Sequence, residues 1–389
     1  MKRWYIVIFS LLAVGFGGMI MNAQAQGLQR AEIVKPAERD PELWATAVCN
    51  DGTPFAFTFD ASPIGSTDWV IHLEGGGACS GIGEDCGSRA PQLTTTLDGA
   101  DGSTVPQVNW LLVSRDPAIN PTFHDANFVL ASYCSSDFWS GTKTEPTPVT
   151  GVPEGWYFAG RINVTAMLET LIQQYGLDDS NPETRVLFAG SSAGGVGVIA
   201  NADNIAARLP QTAADGRLKL VNDAGYAPDL RGVVSEEVDE TFMGSLTAYD
   251  IWGSKVNPLC EQAQIAAGEL PATCILGAVS YPYITAEAPE GLGLPYLVQE
   301  SSLDGAIMNR AGVRMRQPLD RAAIIAVRNA ILDSLIDVEW AFSGGETSYH
   351  TLLPRRGWTM TSPEGVSFRD LLTAFWEDGT PQRVIWTRS

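Results

Sequence analysis

Histidine is nearly missing from this chain: His72, His124 and His350 are the three present among 389 residues. So few histidines argue against a histidine-built metal centre, and the six cysteines contain no CxxC pair, so the usual zinc spacings are absent too. Basic residues are also scarce, 25 against 45 acidic ones, for a formal net charge of −20. That excess argues against nucleic acid and anionic membrane as partners. It also repels a polyanionic substrate unless a local basic patch or salt screens it. No lysine completes a Walker motif after the glycine-rich stretches, and GxGxxG with a ribose-binding acid is not met. Internal repeats are absent, and beyond the first 25 residues no apolar run is long enough to cross a bilayer. Nothing calls for a metal or an organic cofactor.

At the N-terminus, Lys2 and Arg3 precede an almost wholly apolar stretch at 4–21 and the small-x-small pattern Ala23-Gln24-Ala25. Residues 1–25 therefore read as a signal peptide, with Gln26 as the mature start and a secreted or periplasmic destination. A retained anchor is the alternative, because the apolar stretch is about long enough to span. In an exported chain, Cys49, Cys79, Cys86, Cys134, Cys260 and Cys274 read as three disulfides rather than metal ligands.

Residues 26–389 are expected to form one domain. Strands are predicted at 52–60, 68–73, 127–133, 185–189 and 295–299. Helical spacing of apolar residues predicts helices at 160–175, 194–209, 318–337 and 366–376. Strands alternating with helices imply an α/β fold, a mostly parallel doubly wound sheet with helices on both faces. The proline- and glycine-rich stretch 250–295 reads as an irregular insertion over the sheet's edge.

Between a predicted strand and a predicted helix stands Gly190-Ser191-Ser192-Ala193-Gly194, which fits the G-x-S-x-G turn of a serine nucleophile. Only Ser192 is centred between the glycines, which makes Ser191 the lesser candidate. The helix start adds free N–H groups and positive potential beside a developing oxyanion. A serine needs a base. His72 lies inside a strand and His124 in a loop before one, where structural roles are expected; His350 follows late, in a glycine and serine loop, and is the candidate base. The third member should be a carboxylate after an intervening strand: Asp304, with Glu300 as its rival, while Asp223 comes too soon after the serine. The loop Glu74-Gly75-Gly76-Gly77-Ala78 follows an early strand, where hydrolases supply further oxyanion N–H groups.

Eight segments taken together resemble the pectin acetylesterase family, in particular its Notum-like branch: CNDGTP at 49, LEGGGACSGIGEDCGSR at 73, YCSSDFWSG at 133, FAGRINVTAML at 158, LFAGSSAGGVGVIANAD at 188, DAGY at 223, YLVQESSLDGAIMN at 296 and SYHTLL at 348. The resemblance implies a serine carboxylesterase of α/β-hydrolase type with Ser192 as nucleophile, Asp304 as orienting acid and His350 as base. It places oxyanion donors at Gly76, Gly77 and Ala193, and implies disulfides Cys79–Cys86 and Cys49–Cys134, leaving Cys260 for Cys274. The substrate it implies is an acylated carbohydrate, deacetylated as pectin is. The alternatives are a longer acyl ester on lipid or protein, or a silent binding protein on the same fold. Two departures stand out: relatives usually carry tryptophan where this chain has Gly77 and Ala78, and a cysteine that often precedes the family histidine is missing, so that loop must be held some other way.

Overall fold

The computed structural model describes residues 31–80, 86–96, 111–233, 246, 248–313, 320–344, 348–354, 356–359, 361–362 and 364–385; the segment read as a signal peptide lies outside them. Among the described residues the eleven strands are β1 Glu32–Val34, β2 Phe57–Asp60, β3 Asp68–Leu73, β4 Asn127–Ala131, β5 Thr147–Val149, β6 Val152–Trp156, β7 Arg185–Ser191, β8 Leu218–Asp223, β9 Tyr296–Gln299, β10 Trp340–Ser343 and β11 Arg383–Ile385. Nine of them form one sheet in the order β1-β2-β4-β3-β7-β8-β9-β10-β11, and β5 and β6 make a separate hairpin. Every pair from β4 across to β11 is parallel; β2 runs antiparallel to both β1 and β4. This is the expected mostly parallel sheet of α/β-hydrolase type.

Alternation along the strands divides the core in two. On β3, Trp69, Ile71 and Leu73 join one apolar cluster while Val70 joins the other; on β7, Val186 and Phe188 oppose Leu187 and Ala189 in the same way. The first cluster is covered by helices Gly160–Gln174, Ala193–Arg208 and Arg321–Ser334, through residues such as Met167, Leu171, Ile199, Ile205 and Ile331. The second is covered by helix Phe368–Trp376, whose Phe368, Leu371, Leu372 and Phe375 are all buried. A capping box starts that helix: Ser367 accepts from the Asp370 N–H, and Asp370 accepts from the Ser367 N–H. No helix among the described residues is long and apolar enough to cross a membrane.

One expectation changes in shape. The stretch 250–295 is not irregular: it contains helices Pro258–Ala267 and Gly277–Thr285 with a 3-10 turn, Pro271–Ile275, between them. Pro258 and Pro271 stand in first turns, where no N–H is needed, so they start these elements rather than break them. The insertion packs against helix Ala193–Arg208, and Tyr281 stacks on Tyr296 of β9 at 5.8 Å, so it covers the sheet's face rather than its edge. All six cysteines are paired, as Cys49–Cys134, Cys79–Cys86 and Cys260–Cys274.

Registers bring the strand ends into line. Leu73 lies opposite Gly190, Ser191 opposite Asp223, Asp223 opposite Gln299, and Gln299 opposite Phe342. The loops that leave β3, β7, β8, β9 and β10 therefore emerge side by side at one end of the sheet, the usual place for a site in such folds.

Candidate active site

Ser192 sits between the last residue of β7 and the first of helix Ala193–Arg208, with φ 56° and ψ −120°. A positive φ is costly for serine and persists only where the surroundings impose it. Here they do. A Cβ on Gly190 would fall on the Gly194 carbonyl, and one on Gly194 would fall on the Leu73 carbonyl, so both positions flanking the turn must be bare. The Ser192 N–H donates to the Asp223 carbonyl at 2.8 Å, which ties the turn to the neighbouring strand.

The Ser192 hydroxyl lies 2.7 Å from Nε2 of His350, and Nδ1 of the same ring lies 2.7 Å from Oδ2 of Asp304. Asp304 is wholly buried, while the His350 side chain keeps 30 % of its surface exposed. The other oxygen of Asp304 accepts the N–H groups of Ala306 and Ile307, at 2.8 and 2.9 Å, and so caps helix Gly305–Arg310. That cap fixes the carboxylate independently of the histidine. Three side chains from three loops thus form one hydrogen-bonded chain, able to take the proton from the serine as it attacks and to return it to a leaving group.

The glycine loop after β3 lies directly against this serine: a Cβ on Gly75 would come within 2.8 Å of the Ser192 Cβ. Gly76 and Gly77 both have positive φ, 154° and 69°. The Glu74 carbonyl accepts from the Trp139 indole at 3.0 Å, and the Gly76 carbonyl from Arg89 Nη2 at 3.0 Å. No backbone acceptor among the described residues takes the N–H of Gly76, Gly77 or Ala193. Glu74 itself is desolvated enough that its carboxyl is raised to about 7.

The other candidates fall into place around this chain. His72 is buried with Nε2 3.0 Å from the Ser191 hydroxyl, and burial lowers its pKa to about 3, which keeps it neutral. His124 faces Asp125 at 3.1 Å and the carbonyls of Asn120 and Pro121 in its own loop. Glu300 is buried and accepts the Tyr226 N–H at 3.2 Å; burial, reinforced by Asp304 and Asp223, raises its pKa well above the ordinary glutamate value. Ser191 donates to Asp223 at 2.7 Å and so serves the turn.

Several supporting residues were not singled out from the sequence. Asp137 accepts from the Ser135 hydroxyl and from the N–H groups of Trp139 and Gly160, which ties the YCSSDFWSG stretch into a knot where Ser136, Phe138 and Trp139 all have positive φ. Burial raises this carboxyl to about 6. The knot aims Trp139 at the glycine loop, and bare Gly197 makes room for it: a Cβ there would lie 2.6 Å from the indole. A clustered run of small polar residues around two aromatics was the available signal.

The pectinacetylesterase family model matches residues 26–288, well over half of the chain. The chain belongs to the pectinacetylesterase family. Among relatives, palmitoleoyl-protein carboxylesterase notum1' of Xenopus laevis is 28 % identical over 83 % of this chain and 63 % of its own length. Palmitoleoyl-protein carboxylesterase NOTUM of Homo sapiens is 27 % identical over 84 % and 63 %. This pectinacetylesterase-family chain thus spans less than two thirds of the length of these relatives. A solved structure of the Wnt deacylase Notum from Drosophila superposes with a TM-score of 0.72 at 26 % identity, covering 92 % of this chain and 96 % of that one.

Proposed function

We propose that this chain is a serine carboxylesterase that hydrolyses O-acyl esters, with Ser192 as nucleophile, His350 as base and Asp304 as the acid that orients it. The observation that carries the reading is the continuous contact from Ser192 Oγ to His350 to buried Asp304, two links of 2.7 Å each. In this mechanism His350 accepts the Ser192 proton as the oxygen attacks the ester carbonyl. The N–H groups of Gly76, Gly77 and Ala193 then stabilise the oxyanion, and the protonated imidazole gives its proton to the leaving alcohol. Water repeats the sequence on the acyl-enzyme and releases the acid. Three disulfides support an exported enzyme working in an oxidising compartment.

The substrate class favoured is an O-acetylated polysaccharide of the pectin type. One guanidinium against the glycine loop supports it: Arg89 donates to the Gly76 carbonyl at 3.0 Å. It supplies local positive charge that the overall balance of −20 lacks. A second reading, removal of a longer acyl chain, is favoured by the names of the relatives, palmitoleoyl-protein carboxylesterases. Acetate release from acetylated pectin and from neutral acetylated xylan, beside p-nitrophenyl esters from acetate to palmitate, separates the two. Preference for acetate and for pectin is the expected result; a rise in kcat/KM with chain length would overturn it in favour of the second reading.

A further inference from the structure

The loop carrying His350 has no covalent tether, because all six cysteines pair elsewhere. Its anchor is a carboxylate on β8. Asp223 Oδ1 accepts the Leu352 N–H at 2.9 Å, and Oδ2 accepts the Leu353 N–H at 3.0 Å, two and three residues past the histidine. Oδ2 also receives the Ser191 hydroxyl at 2.7 Å. Since that hydroxyl gives its one proton to Asp223, the His72 ring 3.0 Å away donates its Nε2–H to the Ser191 oxygen. His72 and Asp223 are wholly buried and Ser191 is 4 % exposed. Removing a carboxylate from water is expensive, and three donors on two oxygens offset it. The main chain of Asp223 meanwhile accepts the Ser192 N–H at 2.8 Å. One residue therefore grips the serine turn through its backbone and the histidine loop through its side chain.

We propose that Asp223, steadied by Ser191 and His72, is a positioning residue that sets the His350 ring against the Ser192 hydroxyl. The proposal rests on reading Ser192 and His350 as nucleophile and base. Asp223→Asn keeps one acceptor but turns an NH2 toward a backbone N–H, so the loop loses an anchor and shifts; a displacement on the order of 1 Å in such a site costs roughly 100-fold. Ser191→Ala removes one hydrogen bond to the carboxylate and leaves both loop anchors, an effect of about tenfold.

The test is kcat and KM on p-nitrophenyl acetate for Asp223→Asn and Ser191→Ala, each made in the wild type and in a His350→Ala background. Expected are kcat losses of about 100-fold and about tenfold with KM nearly unchanged, and no further loss when either is added to His350→Ala, because a group acting through the imidazole has nothing left to position. Ser191→Ala carries the test if Asp223→Asn does not fold. An undiminished kcat in the single variants, or the same factor lost again without the imidazole, would overturn the proposal. Wild-type kcat in His350→Ala alone would overturn the base assignment itself and the proposal with it, which keeps the two failures apart.

Discussion

Asp304→Asn separates the two tasks that one carboxylate performs. Its Oδ1 caps helix Gly305–Arg310 through Ala306 and Ile307, while Oδ2 accepts from His350 Nδ1 at 2.7 Å. Asparagine preserves the cap with its carbonyl oxygen, so stability should change by no more than about 1 kcal/mol, whereas Asp304→Ala loses the cap and about 1–2 kcal/mol with it. Toward the histidine the asparagine presents an NH2. The ring must then offer a lone pair at Nδ1 and carry its proton on Nε2, facing Ser192 as a donor where a base is required. Loss of the correct tautomer costs on the order of 10⁴ in kcat, or about 5 kcal/mol at 1.36 kcal/mol per decade. The assay is kcat on p-nitrophenyl acetate beside urea unfolding of wild type, Asn and Ala variants. An Asn variant within tenfold of wild-type kcat would refute the role given to Asp304.

Two further perturbations follow from the packing and the charges. Gly190→Ala forces a methyl group onto the Gly194 carbonyl and should cost about 3 kcal/mol in urea unfolding together with most esterase activity; an unchanged unfolding midpoint would show that the turn is looser than described. His72 is lowered from 6.5 to about 3 by burial, so its contribution to stability is present above about pH 6.5 and is lost as pH falls toward 3. Asp223 and Asp137, raised to about 6, act with the opposite sign, their contributions being lost as pH rises through that value. Comparing wild type with His72→Gln isolates the histidine: between pH 6 and 4 the variant's unfolding free energy should fall less steeply, by about 1.4 kcal/mol per pH unit, and parallel slopes would contradict a neutral buried His72.

Much of the site is local enough to be seen in the chain itself. Ser192 declares itself through the two glycines, and the structure gives the reason as steric, since each flanking Cβ would strike a carbonyl. His350 is legible because only three histidines compete, and one of the others lies inside a strand. Asp304 and Glu300 stand four residues apart after the same strand, and placement favours Asp304 while leaving Glu300 as its rival. The distinguishing signal was available in Asp304-Gly305, since an N-capping aspartate is held with one oxygen and leaves the other to its partner. Asp223 looked superfluous because its partners, Leu352 and Leu353, lie about 130 residues onward and are met through backbone N–H groups that no side-chain pattern advertises. The helix at Pro258 and the 3-10 turn at Pro271 are masked by the proline and glycine content of 250–295, although an asparagine stands before Pro258 and caps that helix through the Leu259 N–H.

The central claim is that Ser192 is the nucleophile of an ester hydrolase, and the most direct test is Ser192→Ala measured against wild type with p-nitrophenyl acetate and a fluorophosphonate probe. Ser192→Ala is expected to stay folded with a wild-type melting temperature, to show a kcat lower by at least about a thousandfold, and to take no covalent label where the wild type labels once. Unchanged turnover, or labelling that persists in the alanine variant, would contradict it.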